Sequence, residues 1–303
     1  MKKRLMYLLM VGSVALSCSG DDDSDVPDKI EETTKIYFSE HSGRNIGVVD
    51  PAKVGEHVIL ANHFDDGLNN PTGIAIDQEQ GMLYAAETDG NRIIKLKADG
   101  TGDIVVLYDE GDGVAKPQGL AIDPGTNKIY WANEETHQIL QGDMNGSSNI
   151  TPLYGGAEVF EYDCFSLSIG GGLLYFPDSS WGRIYAGKLD GSSMPELIIP
   201  TDEDYFCTAG IQVVGDKLYW ADYCANKIFV ANADGSSERQ ILFDETDDLN
   251  GPYSIGVDKV GGKIYWSEFF STVIAGGNLD GSGNRQILEE KIFSLGIVVS
   301  SKD

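Results

Sequence analysis

The chain has 303 residues, 41% of them hydrophobic, with 37 glycines and a net charge of −26. That length holds one large core or two ordinary ones, and the glycine content points to many tight turns. So acidic a surface repels phosphate backbones and anionic headgroups, which excludes nucleic acid and leaves a basic protein, a cation or a neutral glycan as partner; the alternative is that the charge only keeps the chain in solution.

Lys2-Lys3-Arg4 is a positive start, and Leu5 to Leu16 is apolar. At about 12 residues the run is too short to span a bilayer as a helix and fits a signal peptide. It ends in Ala15-Leu16-Ser17-Cys18, which resembles the lipobox of bacterial lipoproteins. The resemblance implies a signal peptide over 1–17, acylation of Cys18 and an outer-membrane lipoprotein of a Gram-negative bacterium. Two or more acyl chains anchor stably, since each buried CH₂ contributes roughly 0.8 kcal/mol. The alternative is an ordinary cleaved signal with an accidental Cys. Residues 18–33 open with Ser19-Gly20-Asp21-Asp22-Asp23-Ser24-Asp25 after the Cys, a composition that cannot bury apolar area and reads as a flexible acidic tether. Acids just after the lipidated Cys resemble a signal for surface display; otherwise they are a plain solvated linker.

Residues 34–303 are repetitive. Six segments carry a Tyr-led motif: Tyr37-Phe38-Ser39-Glu40, Tyr84-Ala85-Ala86-Glu87, Tyr130-Trp131-Ala132-Asn133, Tyr175-Phe176-Pro177-Asp178, Tyr219-Trp220-Ala221-Asp222 and Tyr265-Trp266-Ser267-Glu268. The leading Tyr recurs at intervals of 47, 46, 45, 44 and 46 residues. An alternating apolar run precedes each motif except the first, for example Gly73-Ile74-Ala75-Ile76-Asp77. A third run follows, such as Lys227-Ile228-Phe229-Val230-Ala231. Then come Asp99-Gly100, Asn145-Gly146, Asp190-Gly191, Asp234-Gly235 or Asp280-Gly281, and a fourth run such as Gln240-Ile241-Leu242. Asp-Gly and Asn-Gly predict two-residue hairpins with φ > 0 at both positions. Each unit is thus a four-stranded antiparallel meander with no helical period, and such units pack radially as propeller blades. The first unit lacks its opening strand, and Ser294-Leu295-Gly296-Ile297-Val298-Val299 at the other end has that strand's pattern. The fold expected is an all-β, six-bladed propeller whose C-terminal strand completes blade 1 and removes a free edge.

The Tyr-led motif, the Pro-x-Gly strands before it (Pro71-Thr72-Gly73, Pro117-Gln118-Gly119) and the Leu-Asp-Gly-Ser turn after it resemble the YWTD, or LDL-receptor class B, repeats. The resemblance covers nearly everything from residue 34 and implies a propeller that binds extracellular proteins or peptides on one face. No repeat reads YWTD in full, and no binding residue of an animal receptor matches a position here.

Within blade 5, Gly215-Asp216 reads as a two-residue turn. Pairing outward from it in unbroken register places Cys207 opposite Cys224 at a non-hydrogen-bonded site, with Cα atoms about 4.5 Å apart. That lies within disulfide range, and an exported compartment permits the bond. Cys164 remains as a free thiol, buried at the start of blade 4.

Two loop sets share one propeller face: those from strand four to the next blade's strand one, and those from strand two to strand three. The first set includes His63-Phe64-Asp65-Asp66, Asp109-Glu110-Gly111-Asp112, Phe160-Glu161-Tyr162-Asp163, Asp202-Glu203-Asp204-Tyr205-Phe206 and Asp244-Glu245-Thr246-Asp247-Asp248. The second includes Glu134-Glu135-Thr136-His137, Ser179-Ser180-Trp181, Tyr223 and Phe269-Phe270. Loop aromatics without a core to join mark a binding surface, so Trp181, Phe270, Tyr253 and Tyr223 lead the candidates, followed by Tyr205, Phe64 and Tyr162. The competing reading makes these rings interblade plugs and the acids merely solvated. His41, His57, His63 and His137 are scattered, and no nucleophile elbow, P-loop or dinucleotide fingerprint occurs. No cofactor is indicated. The acidic loops or the channel leave room for Ca²⁺, although no EF-hand-type loop is present. The expected function is a monomeric, non-catalytic envelope lipoprotein that binds a protein or peptide. The alternatives are a glycan-binding surface lipoprotein and a metal-dependent lactonase or lyase using Asn70, Asn250 and nearby acids.

Overall fold

The computed structural model describes residues 34–147, 150–155, 164–200 and 207–301. The signal peptide, the tether, Cys18, Tyr162 and Tyr205 lie outside the described residues. What is described is six four-stranded antiparallel sheets, each in simple meander order. In blade 2 the strands run, from the channel outward, Pro71–Asp77, Met82–Glu87, Arg92–Lys97 and Val105–Tyr108. Blades 3 to 6 repeat this order over residues 117–155, 168–199, 208–243 and 252–290. Blade 1 takes its innermost strand from the other end of the chain: Ser294–Ser300 pairs with Lys35–Glu40, from Ile36↔Val299 to Phe38↔Ile297. The ring closes as the repeat count requires.

The core lies mainly in the seams between blades. Tyr37, Ile46 and Ala61 of blade 1, for instance, pack on Ile74, Leu83 and Ile94 of blade 2. Alternation along each strand sends one set of side chains into each seam. The second residue of the motif is the anchor: Trp131 stacks on Tyr108 of the preceding blade at 5.3 Å, and Trp266 lies 4.9 Å from Phe243 of the preceding blade. The leading tyrosines are also buried. Burial raises the pKa of Tyr37, Tyr84, Tyr175 and Tyr219, and pushes Tyr130 and Tyr265 up to about 12, with a nearby Asp adding to the effect in each case. The folded state therefore holds these protons more tightly than the unfolded chain, whose tyrosines titrate near 10. Its advantage is full below pH 10 and is lost as pH rises toward 12. Ultraviolet titration of phenolate is expected to show these six ionising late and together with unfolding; six normal, reversible ionisations near pH 10 would contradict the packing.

The inner strands explain the Pro-x-Gly pattern. Their pairing slips by a residue between Pro71 and Ile74, Pro117 and Leu120, Thr208 and Ile211, and Pro252 and Ile255. The bulge swings the strand against its neighbour across the narrowing ring. A Cβ at Gly119 would lie 2.8 Å from the Ser166 backbone, and one at Gly210 would lie 2.5 Å from the Tyr253 carbonyl oxygen. Blades 4 and 6 place Ser166 and Ser254 there, and these hydroxyls accept the neighbouring strand's N–H from Ile211 at 3.2 Å and Ile297 at 2.9 Å.

Two local expectations are corrected. The Asp-Gly pairs do not form two-residue hairpins. Third and fourth strands are joined by longer loops, only the glycines have positive φ, and each Asp instead accepts the N–H two residues on, as in Asp99–Thr101 (2.8 Å) and Asp234–Ser236 (2.9 Å). This side-chain turn competes with the tight hairpin. The chain is also not wholly free of helix: His63–Asp66 forms one turn, and Glu110–Asp112 and Glu245–Asp247 form 3₁₀ turns.

Candidate functional site

The face that carries the loops from strand two to three and from strand four to the next strand one is built by the motif's last residue. That acid or amide ends strand two and reaches the incoming loop. Glu87 accepts from Asn69 N at 2.7 Å, Asn133 from Ala115 N at 3.1 Å, and Asp222 from Cys207 N at 3.4 Å. Asn91 and Asn226, at positive φ in the turns between strands two and three, clamp the next loop through Lys116 N (2.8 Å) and Gly251 N (2.6 Å). Burial raises the pKa of Asp222, opposed by its backbone N–H donors from Ala225, Cys207 and Cys224. These motif residues thus fix the loops of the face.

Cys207 and Cys224 form the expected disulfide, with Cα atoms 5.4 Å apart. The route to it needs correction. Register holds from Val214↔Lys217 to Ile211↔Trp220, then slips, so that Thr208 faces Asp222. The bulge at Ala209-Gly210 carries both cysteines past the strand ends, and the bond staples the entering loop to the turn carrying Tyr223. Closing a loop of 17 residues contributes on the order of 3 kcal/mol. The Cys207→Ser/Cys224→Ser double variant is expected to lose about that much in denaturant unfolding; a loss under about 0.5 kcal/mol would mean the bond holds nothing in place. Cys164 is buried and outside any disulfide.

Next to the staple lies a continuous aromatic patch. Tyr253, second residue of blade 6's inner strand, has ring neighbours Phe165 at 5.8 Å, Tyr223 at 5.7 Å and Phe269 at 5.7 Å. Phe269 touches Phe270 at 5.3 Å and Phe293 at 4.8 Å, and Phe293 meets His41 at 5.5 Å. Residues from blades 4, 5, 6 and 1 therefore share one surface. Of the sequence candidates, Tyr223, Tyr253 and Phe270 are brought together here. Tyr253, 8% exposed, forms the floor, while Phe270, 59% exposed, stands out from it. Trp181 lies elsewhere on the face, 38% exposed and under the guanidinium of Arg183 at 5.1 Å. Phe64, 93% exposed, has His63 as its ring neighbour. Sequence reasoning missed Phe165 and Phe293 and passed over His41. Phe165 was findable, because it occupies the repeat position of Tyr253.

Several rim acids serve their own turns. Asp109 and Asp112 make a capping box, as do Asp244 and Asp247, and Asp66 accepts from Asn62 N at 3.0 Å. The channel beneath the face holds a void of about 200 Å³, lined by Ile74, Leu120, Ile122, Leu167, Ile211, Gln212, Ser254 and Ile297 among others, with no titratable side chain in its lining. Asn70 is engaged by His41 Nδ1. Among the described residues, no three His, Cys, Asp or Glu side chains converge to hold a metal.

Residues 216–259 match the family model of the low-density lipoprotein receptor repeat class B; this stretch is most of blade 5 and the first strand of blade 6. No match was found among curated proteins. Among solved structures, a chain of a nidogen/laminin complex matches at a TM-score of 0.76 and 16% identity, over 88% of this chain and 98% of that one. A streptogramin B lyase matches at 0.63 and 18% identity, over 88% and 84%. Inactive virginiamycin B lyase from Staphylococcus aureus, crystallised with quinupristin, matches at 0.62 and 17% identity, over 85% and 81%. At such identities the likeness is one of fold alone.

Proposed function

We propose that this six-bladed propeller, which carries a class B repeat, is a non-catalytic lipoprotein of the cell envelope, anchored through Cys18, whose aromatic face binds an extracytoplasmic protein or peptide. The aromatic patch carries the reading. Four blades contribute to it, Phe270 stands exposed at its edge, and aromatic rings that combine large contact area with few torsions are what protein interfaces use as anchors. The nidogen/laminin structure supplies a propeller of this shape in a protein complex.

The lyase neighbours favour a catalytic reading, yet an enzyme of that kind needs donors converging on the channel. Here the described lining mixes aliphatic side chains with Ser166, Ser168, Ser254 and Gln212, whose oxygens accept the N–H groups of Ile211, Val213, Ile297 and Val257, and it holds no titratable side chain. A glycan-binding lipoprotein is the remaining alternative, and Trp181 beside Arg183 is the feature that favours it. A crosslinked pull-down from solubilised envelope and growth medium tests the proposal, with the mature chain and its Trp181→Ala/Phe270→Ala variant as baits. A protein enriched by the first and lost with the second is expected. Soluble glycan captured instead, and lost on Trp181→Ala alone, would transfer the function to the glycan reading.

A further inference from the structure

On the side away from the aromatic patch, the inner strands end in tight turns to strand two. Three of these strands end in an aspartate: Asp77 in blade 2, Asp123 in blade 3 and Asp258 in blade 6. The three turns have equal length, spanned by Asp77↔Met82, Asp123↔Lys128 and Asp258↔Lys263, and each closes on a residue at positive φ: Gly81, Asn127 and Gly262. Their carboxylates therefore compare directly. One oxygen of Asp77 and of Asp258 accepts the N–H three residues on, from Gln80 at 3.1 Å and Gly261 at 2.7 Å. The other oxygen is where the blades part. Blade 3 satisfies it inside the turn, with the Thr126 hydroxyl at 2.6 Å. Blade 6 has Gly261 at that place, and the hydroxyl comes from outside the blade, from Thr34 Oγ1 at 2.7 Å. Blade 2 has Gln80 there, and Asp77 Oδ2 receives no hydrogen bond from any described residue, although Asp77 is 2% exposed. A buried carboxylate oxygen without a donor is costly, so this position calls for one from outside the fold.

Asp77 lines a cavity of about 700 Å³ at this far mouth of the channel, within the size range of small-molecule sites. Glu79 stands in the same turn, Val214, Val257 and Val260 supply apolar wall, and Lys259 carries the one positive charge among the described lining residues. We infer that this mouth binds a small zwitterion of the amino-acid class, with its ammonium on Asp77 and Glu79, its apolar side chain on the valines and its carboxylate toward Lys259. An ammonium answers both needs of Asp77, because it donates an N–H and neutralises a buried charge. A neutral hydroxyl answers only the first. A polyamine brings a second cation against Lys259, and a simple anion meets two carboxylates for one lysine. The site is independent of the aromatic patch: Tyr253 and Val257 are the second and sixth residues of one inner strand, Pro252–Asp258, and face opposite mouths.

The test is ligand-observed NMR on the mature chain, by saturation transfer to L-leucine and L-phenylalanine. N-acetyl-L-leucine, which lacks the ammonium, and isopentylamine, which lacks the carboxylate, are the controls. The expected result is saturable transfer to both amino acids, with affinity about tenfold lower for each control, the size of one charge-assisted hydrogen bond. Gln80→Thr offers Asp77 the hydroxyl that blade 3 uses, and is expected to lower leucine affinity about tenfold while the cooperative melt is kept. Asp77→Asn should do the same, and Asp123→Asn should leave binding unchanged. Gln80 is exposed, so its variant decides the matter even if Asp77→Asn does not fold. No saturable transfer to either amino acid would overturn the inference and leave water as the partner of Asp77. Leucine binding that Gln80→Thr leaves unchanged would overturn it by placing the ligand elsewhere, and isopentylamine binding as tightly as leucine would overturn the amino-acid assignment.

Discussion

Deletion of residues 294–303 is expected to abolish cooperative folding. Ser294–Ser300 is the innermost strand of blade 1, and without it Lys35–Glu40 presents an open edge to the channel. Ile297 and Val299 pack with Ile36, Phe38, Tyr265 and Leu288, and burial of those two side chains contributes roughly 3–6 kcal/mol. That is a large part of the 5–15 kcal/mol that typically separates a folded domain from its unfolded chain. Backbone pairing along the whole strand and the contact of Gly296 with Thr72 of blade 2 disappear as well. The truncated chain is expected to bind a hydrophobic dye and to show no cooperative thermal transition, and a peptide of residues 294–303 added in trans should restore part of that transition. A truncated chain that melts like the intact one would show that ring closure contributes nothing.

The second large effect is expected at Glu268. Its carboxylate is fully buried and receives Arg285 through two hydrogen bonds of 2.7 Å, Trp266 Nε1 at 3.0 Å and the Ser271 hydroxyl. It ties strand two, the turn below Phe269-Phe270 and the start of strand four into one unit. Glu268→Ala leaves the Arg285 guanidinium, 12% exposed, without its counter-charge, and removing one partner of such a pair costs about 3–5 kcal/mol. Glu268→Gln keeps part of the hydrogen bonding and should fall between that variant and the parent. Glu40, the equivalent residue of blade 1, contacts Asn45 at 2.7 Å in a half-exposed setting, so Glu40→Ala should cost less than about 1 kcal/mol. Equal losses at the two positions, measured by denaturant unfolding, would contradict this account of the motif.

Blade number and ring closure were legible because spacing carries them. The leading Tyr keeps nearly constant intervals, and the unmatched run at 294–299 has a single vacancy to fill. The disulfide was legible as well, although the register reasoning behind it fails at Ala209-Gly210. An inserted residue of this kind leaves no mark in the alternation, because glycine fits either face. The Asp-Gly turns misled for a related reason: the sequence pair suits a tight hairpin, yet the Asp side chain satisfies the backbone N–H two residues on and favours a wider loop. The patch was only half visible. Phe269-Phe270 and Tyr223 stand out as loop aromatics and Phe165 holds the repeat position of Tyr253, but that Phe165 and Tyr253 meet, and that Phe293 at the entry to blade 1 joins them through Phe269, follows only from the closed ring. Contacts between residues about 90 positions apart follow from ring geometry, and no local pattern encodes them.

The two halves of the repeat motif divide the labour. Its aromatic residues fill the seams, and its final acid or amide fixes the loops, which frees the inner-strand and turn aromatics of blades 4, 5, 6 and 1 to form a surface. The most direct test of that surface is site-specific photocrosslinking in living cells. A benzophenone side chain replaces Phe270 in one strain and Val260, on the opposite side, in another. The account predicts a discrete protein adduct from position 270 and none of that mass from position 260. The same adduct from both positions, or from 260 alone, would contradict the assignment of the aromatic face as the binding surface.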